Sequence, residues 1–320
     1  MPASHINDDW LDTTTTEVRH ILDFRHERLR PALTLGRFRY LAAAEPLPEM
    51  QHDAWVVLVF ALGGVQHYQL DDQEVSLRGG QCLRIPPGRR YSTGSWPEQR
   101  GELAWLILSR EDPSGLNDLG IEPDAAREVL GRLSAPDGPL VFRPPPFLPG
   151  FLHGIFEAWP RRSHPLWREI VRNQLAGLVL AAAARAAPHD VTREFGADAT
   201  PTRIDDVLAW MDEHLRDEVS IDDLVSRSRL SPARFYQAFK ERTGTNPKDH
   251  LLRLRLEEAV RLLRNQPDRS VIDIAHELGF SSSQYFATVF RRYLGTTPSR
   301  LRGQRPEDTR KKTTSGRARG

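Results

Sequence analysis

The sequence predicts a multidomain α+β chain. Its first part is β-rich, its middle is helical, and its C-terminal part is an all-α domain of two helix-turn-helix units joined by a long helix. Three observations predict this. Short apolar runs separated by Gly, Pro and Asp pairs fill residues 33–110, whereas residues 203–302 carry helical spacing throughout. One unit within that second stretch occurs twice. Charge divides along the same line: residues 201–320 hold 23 Lys/Arg against 17 Asp/Glu, and residues 1–200 hold 21 against 26.

Residues 1–32 read as an N-terminal arm. Its His20, Arg25, His26, Arg28 and Arg30 suit a mobile segment, while residues 18–24 suit a fixed helix equally well. Strands are expected at 33–41, 55–62, 65–70, 74–77, 82–85 and 103–108, punctuated by Gly63-Gly64, Asp71-Asp72, Gly79-Gly80 and Pro86-Pro87-Gly88. Short strands at this spacing predict a sandwich or small barrel. Residues 111–187 form a helical segment with helices at 123–133, 147–159 and 166–187 and a break at Pro144-Pro145-Pro146. In the last of these, Ile170, Leu175, Leu178 and Val179 share a face that runs into alanines. Such a helix packs closely on a neighbour, in its own domain or in the second subunit of a homodimer. Residues 188–202 lack periodicity and read as a linker, and residues 303–320 read as a basic disordered tail.

Composition narrows the function classes. The single cysteine, Cys82, excludes an intramolecular disulfide framework and a Cys-based zinc knuckle. A cytoplasmic compartment is the natural reading. Both apolar runs of note, 55–65 and 175–187, are too short to span a bilayer, and residues 1–10 lack an apolar secretory core, so no membrane partner is expected. No Ser/His/Asp ordering, phosphate-cradling glycine loop or zincin motif is present, so no catalytic residue is assigned and no enzyme is expected. The net charge of +1 conceals a basic stretch: residues 227–302 hold 15 basic and 7 acidic residues. That bias suits a polyanion and suits a solvated surface equally.

The repeat sharpens the choice. Ser220-Ile221-Asp222-Asp223-Leu224-Val225 aligns with Ser270-Val271-Ile272-Asp273-Ile274-Ala275 at an offset of 50. Beyond the turn the offset becomes 51, pairing Phe235 with Phe286, Phe239 with Phe290, Gly244 with Gly295 and Pro247 with Pro298. Ser220 and Ser270 are expected N-caps, each followed three residues on by an Asp that can reach back to the cap amide. Ser231-Pro232 and residues 281–283 start the second helix of each unit, and glycines end it. Phe235, Ala238 and Phe239, then Tyr285, Phe286, Val289 and Phe290, are expected to face the core. Ala233, Tyr236, Gln237 and Lys240, then Ser283, Gln284, Ala287, Thr288 and Arg291, lie opposite, with groups able to meet base edges or phosphates of double-stranded DNA. The joining helix, 247–264, sets Leu251, Leu256, Val260 and Leu263 against Arg253, Arg261 and Arg264 on another face. Its length, roughly 27 Å at 1.5 Å per residue, approaches the spacing of successive major grooves.

Residues 202–302 resemble the AraC family of bacterial transcription regulators. The resemblance rests on Ser231-Pro232-Ala233-Arg234-Phe235-Tyr236-Gln237-Ala238-Phe239-Lys240, on Arg255-Leu256-Glu257-Glu258-Ala259, and on Ile274-Ala275-His276-Glu277-Leu278-Gly279-Phe280-Ser281-Ser282-Ser283-Gln284-Tyr285-Phe286 with Gly295-Thr296-Thr297-Pro298. It implies a DNA-binding regulator, an activator by family habit, whose base-contact candidates are Ala233, Tyr236, Gln237, Ser283, Gln284, Ala287 and Thr288. Arg234, Lys240 and Arg291 complete the expected DNA-binding set. Double-stranded DNA, a small-molecule effector, a second copy of the chain and RNA polymerase are the partners implied. Arg229 departs from the family's turn glycine, and Val225 from its helix alanine.

The resemblance further implies a cupin-like effector-binding β-barrel for residues 33–110, in which Gly80, Pro86 and Gly88 fit the spacing of the second cupin motif. Tyr91 stands where that motif carries a metal-binding His, and His52 is followed by Asp53-Ala54 rather than a second His. A binding pocket without metal or other cofactor is therefore expected, with Arg37, Arg39, His52, His67, Tyr91 and Trp105 as effector-binding candidates.

Overall fold

The computed structural model describes residues 13–110, 118–186 and 203–303. Its N-terminal part is sheet-rich and its C-terminal part is entirely helical. The strands are β1 (Arg19–Asp23), β2 (Ala32–Tyr40), β3 (Met50–Gln51), β4 (Trp55–Gly63), β5 (Val65–Leu70), β6 (Gln73–Arg78), β7 (Cys82–Ile85), β8 (Arg90–Ser92), β9 (Gly101–Ser109) and β10 (Val141–Phe142). Six form one sheet in the order β1-β2-β9-β4-β7-β10, and four form another in the order β3-β8-β5-β6. The expected barrel is thus two sheets, and among the described strands no ladder joins them into a closed ring.

Alternation explains the layering. In β4, Val56, Leu58 and Phe60 face one core while Val57, Val59 and Ala61 face another. In β9, Ala104, Leu106 and Leu108 join the first core and Leu103 lies in the second. A strand buried on both faces reads as a continuous apolar run, as β4 does. The second core also takes Tyr68, Leu70, Leu77 and Tyr91 from the smaller sheet. The first core takes three helices: α1 (Pro123–Ser134), α2 (Leu148–Ala158) and α3 (Trp167–Arg185). Helices therefore cover the outer face of the larger sheet, and the smaller sheet covers its inner face. Arg84 is fully buried at this junction, where its guanidinium donates to the Leu133, Ala135 and Asp137 carbonyls at 3.0, 2.5 and 2.9 Å. It satisfies the carbonyl end of α1 from across the core.

Two expectations change here. Residues 19–23 are neither arm nor helix: they pair antiparallel with β2, Ile21 opposite Gly36. Ile170 does not join Leu175, Leu178 and Val179 in the core; it is 40% exposed, whereas those three are fully buried.

The C-terminal helices are α4 (Arg203–Glu213), α5 (Ile221–Ser228), α6 (Pro232–Thr243), α7 (Pro247–Asn265), α8 (Val271–Glu277), α9 (Ser283–Leu294) and α10 (Pro298–Gly303). Two cores flank α7. One gathers Ile204, Val207, Met211, Leu224, Phe235 and Phe239, with Leu251 and Leu254 from α7. The other gathers Ile274, Phe280, Phe286 and Phe290, with Leu256, Val260 and Leu263 from α7. The expected linker and all but the first residue of the expected tail lie outside the described residues. No helix among the described residues is long and apolar enough to cross a membrane.

Candidate nucleic-acid interface

Each helix-turn-helix unit is built by its caps. Ser220 Oγ accepts the Asp223 amide at 3.1 Å, and the Asp223 carboxylate accepts the Ser220 amide at 3.4 Å, a complete capping box. In the second unit Ser270 Oγ accepts the Ile272 amide at 3.2 Å. Ser282 caps α9 by accepting the Tyr285 amide at 3.1 Å. Ser231 stands at the corresponding place before α6, but its hydroxyl makes no cap bond. Pro232 sets the first turn there instead, since it needs no N–H partner. Arg229 ends α5 in the left-handed region, φ 52° and ψ 31°, where Gly279 in the second unit has φ 70°. Only the second is cost-free for the backbone.

α6 and α9 then present matched faces. Phe235 and Phe239 are fully buried in α6, and Phe286 and Phe290 in α9. Ala233, Arg234, Tyr236, Gln237 and Lys240 are all exposed. In α9, Gln284, Thr288 and Arg291 are exposed, while Ser283 and Ala287 are half-buried beside them. Tyr285, expected in the core, is 46% exposed: Phe280 packs edge-on against Phe286 at 4.8 Å and fills the space beneath that end of the helix. Tyr285 therefore joins the outward face. Gln237 Nε2 donates to Glu241 Oε1 at 2.8 Å, and Thr288 Oγ1 donates to the Gln284 carbonyl at 2.9 Å. These local bonds orient the outward side chains without burying them. α7, with 19 residues, separates the two faces by roughly 28 Å of helix.

Residues 224–304 match the Helix-turn-helix domain family. The HTH-type transcriptional activator RhaS of Escherichia coli O1:K1 is 40% identical over 101 residues, 32% of this chain and 36% of the relative. The C-terminal module is an AraC-type helix-turn-helix domain. An AraC-type DNA-binding-domain regulator from Chromobacterium violaceum is 29% identical over 34% of this chain and 96% of that chain, with a TM-score of 0.31. The DNA-binding domain of AdpA, solved with a target DNA, is 32% identical over 36% of this chain and 98% of that chain, with a TM-score of 0.31. The match spans about a third of the length of the curated relatives.

The sheet-rich part holds the AraC-type module at the far ends of its outward helices. Gly79 and Gly244 sit so close to the other part that a Cβ added to Gly79 would lie 1.6 Å from the Thr243 carbonyl oxygen, and one on Gly244 1.9 Å from that of Leu62. Arg78 pairs with Glu257 at 2.8 Å, and Arg100 lies 3.5 Å from the Asp249 carboxylate and donates to the Tyr293 hydroxyl at 3.2 Å. Trp96, from the loop before β9, is buried in the second core of the helical module. His67 stacks on it at 3.9 Å and the Arg264 guanidinium lies 4.7 Å from its ring centre. Arg253, expected on an outward face of α7, is instead 4% exposed, paired with Asp249 at 2.8 Å and lying 4.9 Å from the Tyr293 ring centre. Helical spacing cannot report a contact made from another part of the chain, and neither Trp96 nor Arg100 carries a motif that would have flagged it.

Between the two sheets lies a cavity of about 470 Å³. Of the six effector-binding candidates, Tyr91 and Trp105 line it. Arg37 pairs outward with Glu102, Arg39 faces the cleft between the two parts, His52 stacks on Trp55 at 4.5 Å, and His67 is buried against Ser76 and Trp96. The structure adds Tyr40, Tyr68 and Glu98 to the cavity wall. Tyr40 donates to Glu98 Oε1 at 2.5 Å. Burial pushes the Glu98 carboxyl above its ordinary range, against the pull of Tyr40 and Arg19. No group of three or more His, Cys, Asp or Glu that could hold a metal occurs among the described residues.

Proposed function

We propose that the chain is a sequence-specific transcription activator controlled by a small molecule bound in its N-terminal part. Residues 33–110 are the cupin-like effector-binding unit, residues 111–187 include a helix that pairs two copies, and residues 203–302 read double-stranded DNA. The observation that carries the reading is the duplicated unit: two helices in matching places, α6 begun by Pro232 and α9 capped by Ser282, offer exposed polar faces on one scaffold. Ala233, Tyr236, Gln237, Ser283, Gln284, Ala287 and Thr288 approach base edges, Lys240 and Arg291 approach phosphates, and Arg234 completes the DNA-binding face. The relatives' role as transcriptional activators supports activation, with RNA polymerase as the protein partner, and the setting is the cytoplasm.

Control follows from how the two parts meet. Glu98 lines the cavity, and two residues on Arg100 touches Asp249 on α7 and Tyr293 on α9. Between them Gln99 is locked by Gln66, which donates from Nε2 to the Gln99 carbonyl at 2.7 Å and accepts the Gln99 amide at 2.9 Å. A ligand that shifts Glu98 moves this stretch as a unit. The sheet-rich part braces the C-terminal ends of both reading helices, so a change in its seat changes their mutual angle. An effector then acts by favouring one of two arrangements.

The test is selection of genomic fragments by the full-length protein. Enrichment of a motif with two contact blocks about one helical turn apart supports double reading. A motif with a single block shows that only one helix reads bases. Affinity should also fall steeply as salt rises, and a flat response removes the phosphate contacts.

A further inference from the structure

The cavity between the sheets has an uneven chemistry. Its wall is aliphatic and aromatic, and among the described residues two charged side chains line it, Arg19 and Glu98. They are not equivalent. Arg19 lies on the edge strand β1 with its guanidinium 5.5 Å from the Trp105 ring centre, already laid on an aromatic face. Glu98 accepts one hydrogen bond, from Tyr40, and no other side-chain donor reaches it among the described residues. Around it the cavity sets the rings of Tyr40, Tyr68, Tyr91 and Trp105. Aromatic faces carry partial negative charge and attract cations, and a carboxylate in apolar surroundings gains most from an opposite charge that arrives with its own apolar body. An anionic ligand meets the reverse: among the described residues the lining cation, Arg19, already lies over the Trp105 ring, and the buried acid repels the ligand.

We propose that the effector is a monocationic amphiphile, an alkyl- or arylalkyl-ammonium whose head pairs with Glu98 within the aromatic rings and whose tail lies on the apolar wall. This rests on the effector-binding reading above. It gives the Glu98–Arg100 stretch a physical input, since pairing draws the carboxylate toward the ligand and away from Tyr40.

The pairing has a proton signature. Burial holds the Glu98 carboxyl above its ordinary range, so in acidic solution it keeps its proton to a higher pH than an exposed carboxyl does. An ammonium favours the carboxylate, so binding releases a proton and tightens as pH rises. The other titratable groups lining the cavity, among the described residues, are Arg19 from β1, Tyr40 from β2, Tyr68 from β5 and Tyr91 from β8. Burial raises all three tyrosines, so they stay neutral across that range.

The experiment is calorimetry on the full-length protein with phenylbutylamine, phenylbutanol and phenylbutyrate, three probes of one shape and different charge. The amine should bind at least ten-fold tighter than the alcohol, the acid more weakly than either, and the heat should depend on buffer ionisation in the direction of proton release. E98Q should lose most of the amine's advantage, whereas E102Q, which removes a carboxylate that pairs with Arg37 outside the cavity, should keep it. If E98Q does not fold, proton release by the unaltered chain reads the same pairing. Preferential binding of the alcohol or the acid overturns the cationic ligand and leaves effector binding standing. No binding by any probe to the folded protein, together with unchanged DNA affinity when V59W fills the cavity, overturns both.

Discussion

Arg229 holds a left-handed turn that its partner unit builds with Gly279. An L-residue there costs roughly 1–2 kcal/mol over glycine in the folded state, part of which glycine's freer unfolded chain returns. Arg229→Gly should therefore stabilise the protein by about 0.5–1 kcal/mol, read as a higher urea midpoint with unchanged slope. The side chain is exposed, so no packing is lost. A lower midpoint means that the arginine side chain stabilises the turn by contacts stronger than its strain. Gln284 is the opposite case, an exposed side chain at the first turn of α9 with no structural work evident. Gln284→Ala should weaken binding to the selected sequence by about 1–3 kcal/mol while non-specific binding holds. Equal losses on both sequences make it a positioning residue for the backbone.

At the scale of elements, α3 shows what an exposed apolar residue is worth as a signal. Ile170 and Leu180 remain exposed on it, as does Leu166 at its N-cap. On the proposal that this face pairs two copies, Ile170→Glu should give a monomer in sedimentation while the far-UV spectrum is kept. A folded mutant that still sediments as a dimer places the interface elsewhere. The sequence periodicity had put Ile170 with Leu175 and Leu178, because spacing names a stripe without saying how wide the covering layer is. The same limit applies to Tyr285, at helical spacing from Val289 yet outside the core that Phe280 fills. Long or punctuated elements were legible: α7 starts at the expected Pro247, and the six expected strands all occur, within two residues at each end. Strands of five residues or fewer were not, with one exception. β1 has one adjacent apolar pair, Ile21-Leu22, which suits a helix or a strand, and β8 is three residues read only by its pairing with β3 and β5. β7 was legible because its four residues are all buried and lie between Gly79-Gly80 and Pro86-Pro87. For the site, the DNA-reading face followed from helix spacing and a repeat, both local. The cavity did not, because which face of a strand points inward depends on the sheet that covers it.

For the whole molecule, the seat of the sheet-rich part on the AraC-type module decides two behaviours. The first is response to acid. His67 and His250 are buried near this seat, and burial together with Arg78 lowers both, to about 3 and about 4. Arg264 adds to the effect on His67, and Arg253 and Arg143 to that on His250, where Asp249 opposes it. Both folded-state values lie below the ordinary 6.5, so the unfolded chain binds the extra protons. Stability is then full above pH 6.5 and falls as pH drops toward 4, by about 1–2 kcal/mol for each histidine near pH 5. His67→Phe should flatten the melting curve against pH over that window, and an unchanged slope removes His67 from the account. The second behaviour is coupling, and Gly79 isolates it. Its backbone does not lie in the left-handed region, so alanine is tolerated locally, unlike at Gly244 with φ 69°. Its added Cβ would nonetheless sit 1.6 Å from a main-chain oxygen of α6, which no rotamer change relieves. Gly79→Ala should therefore unseat the two parts without unfolding either. Scattering should show a larger radius of gyration, and effector should no longer change operator affinity. Gly131→Ala, where an added Cβ meets nothing within 4 Å, is the matched control. If Gly79→Ala keeps both the compact radius and the effector response, the seat yields cheaply and the coupling runs through another route. If the radius grows while the response survives, the signal passes through the linker rather than through Arg100 and Tyr293.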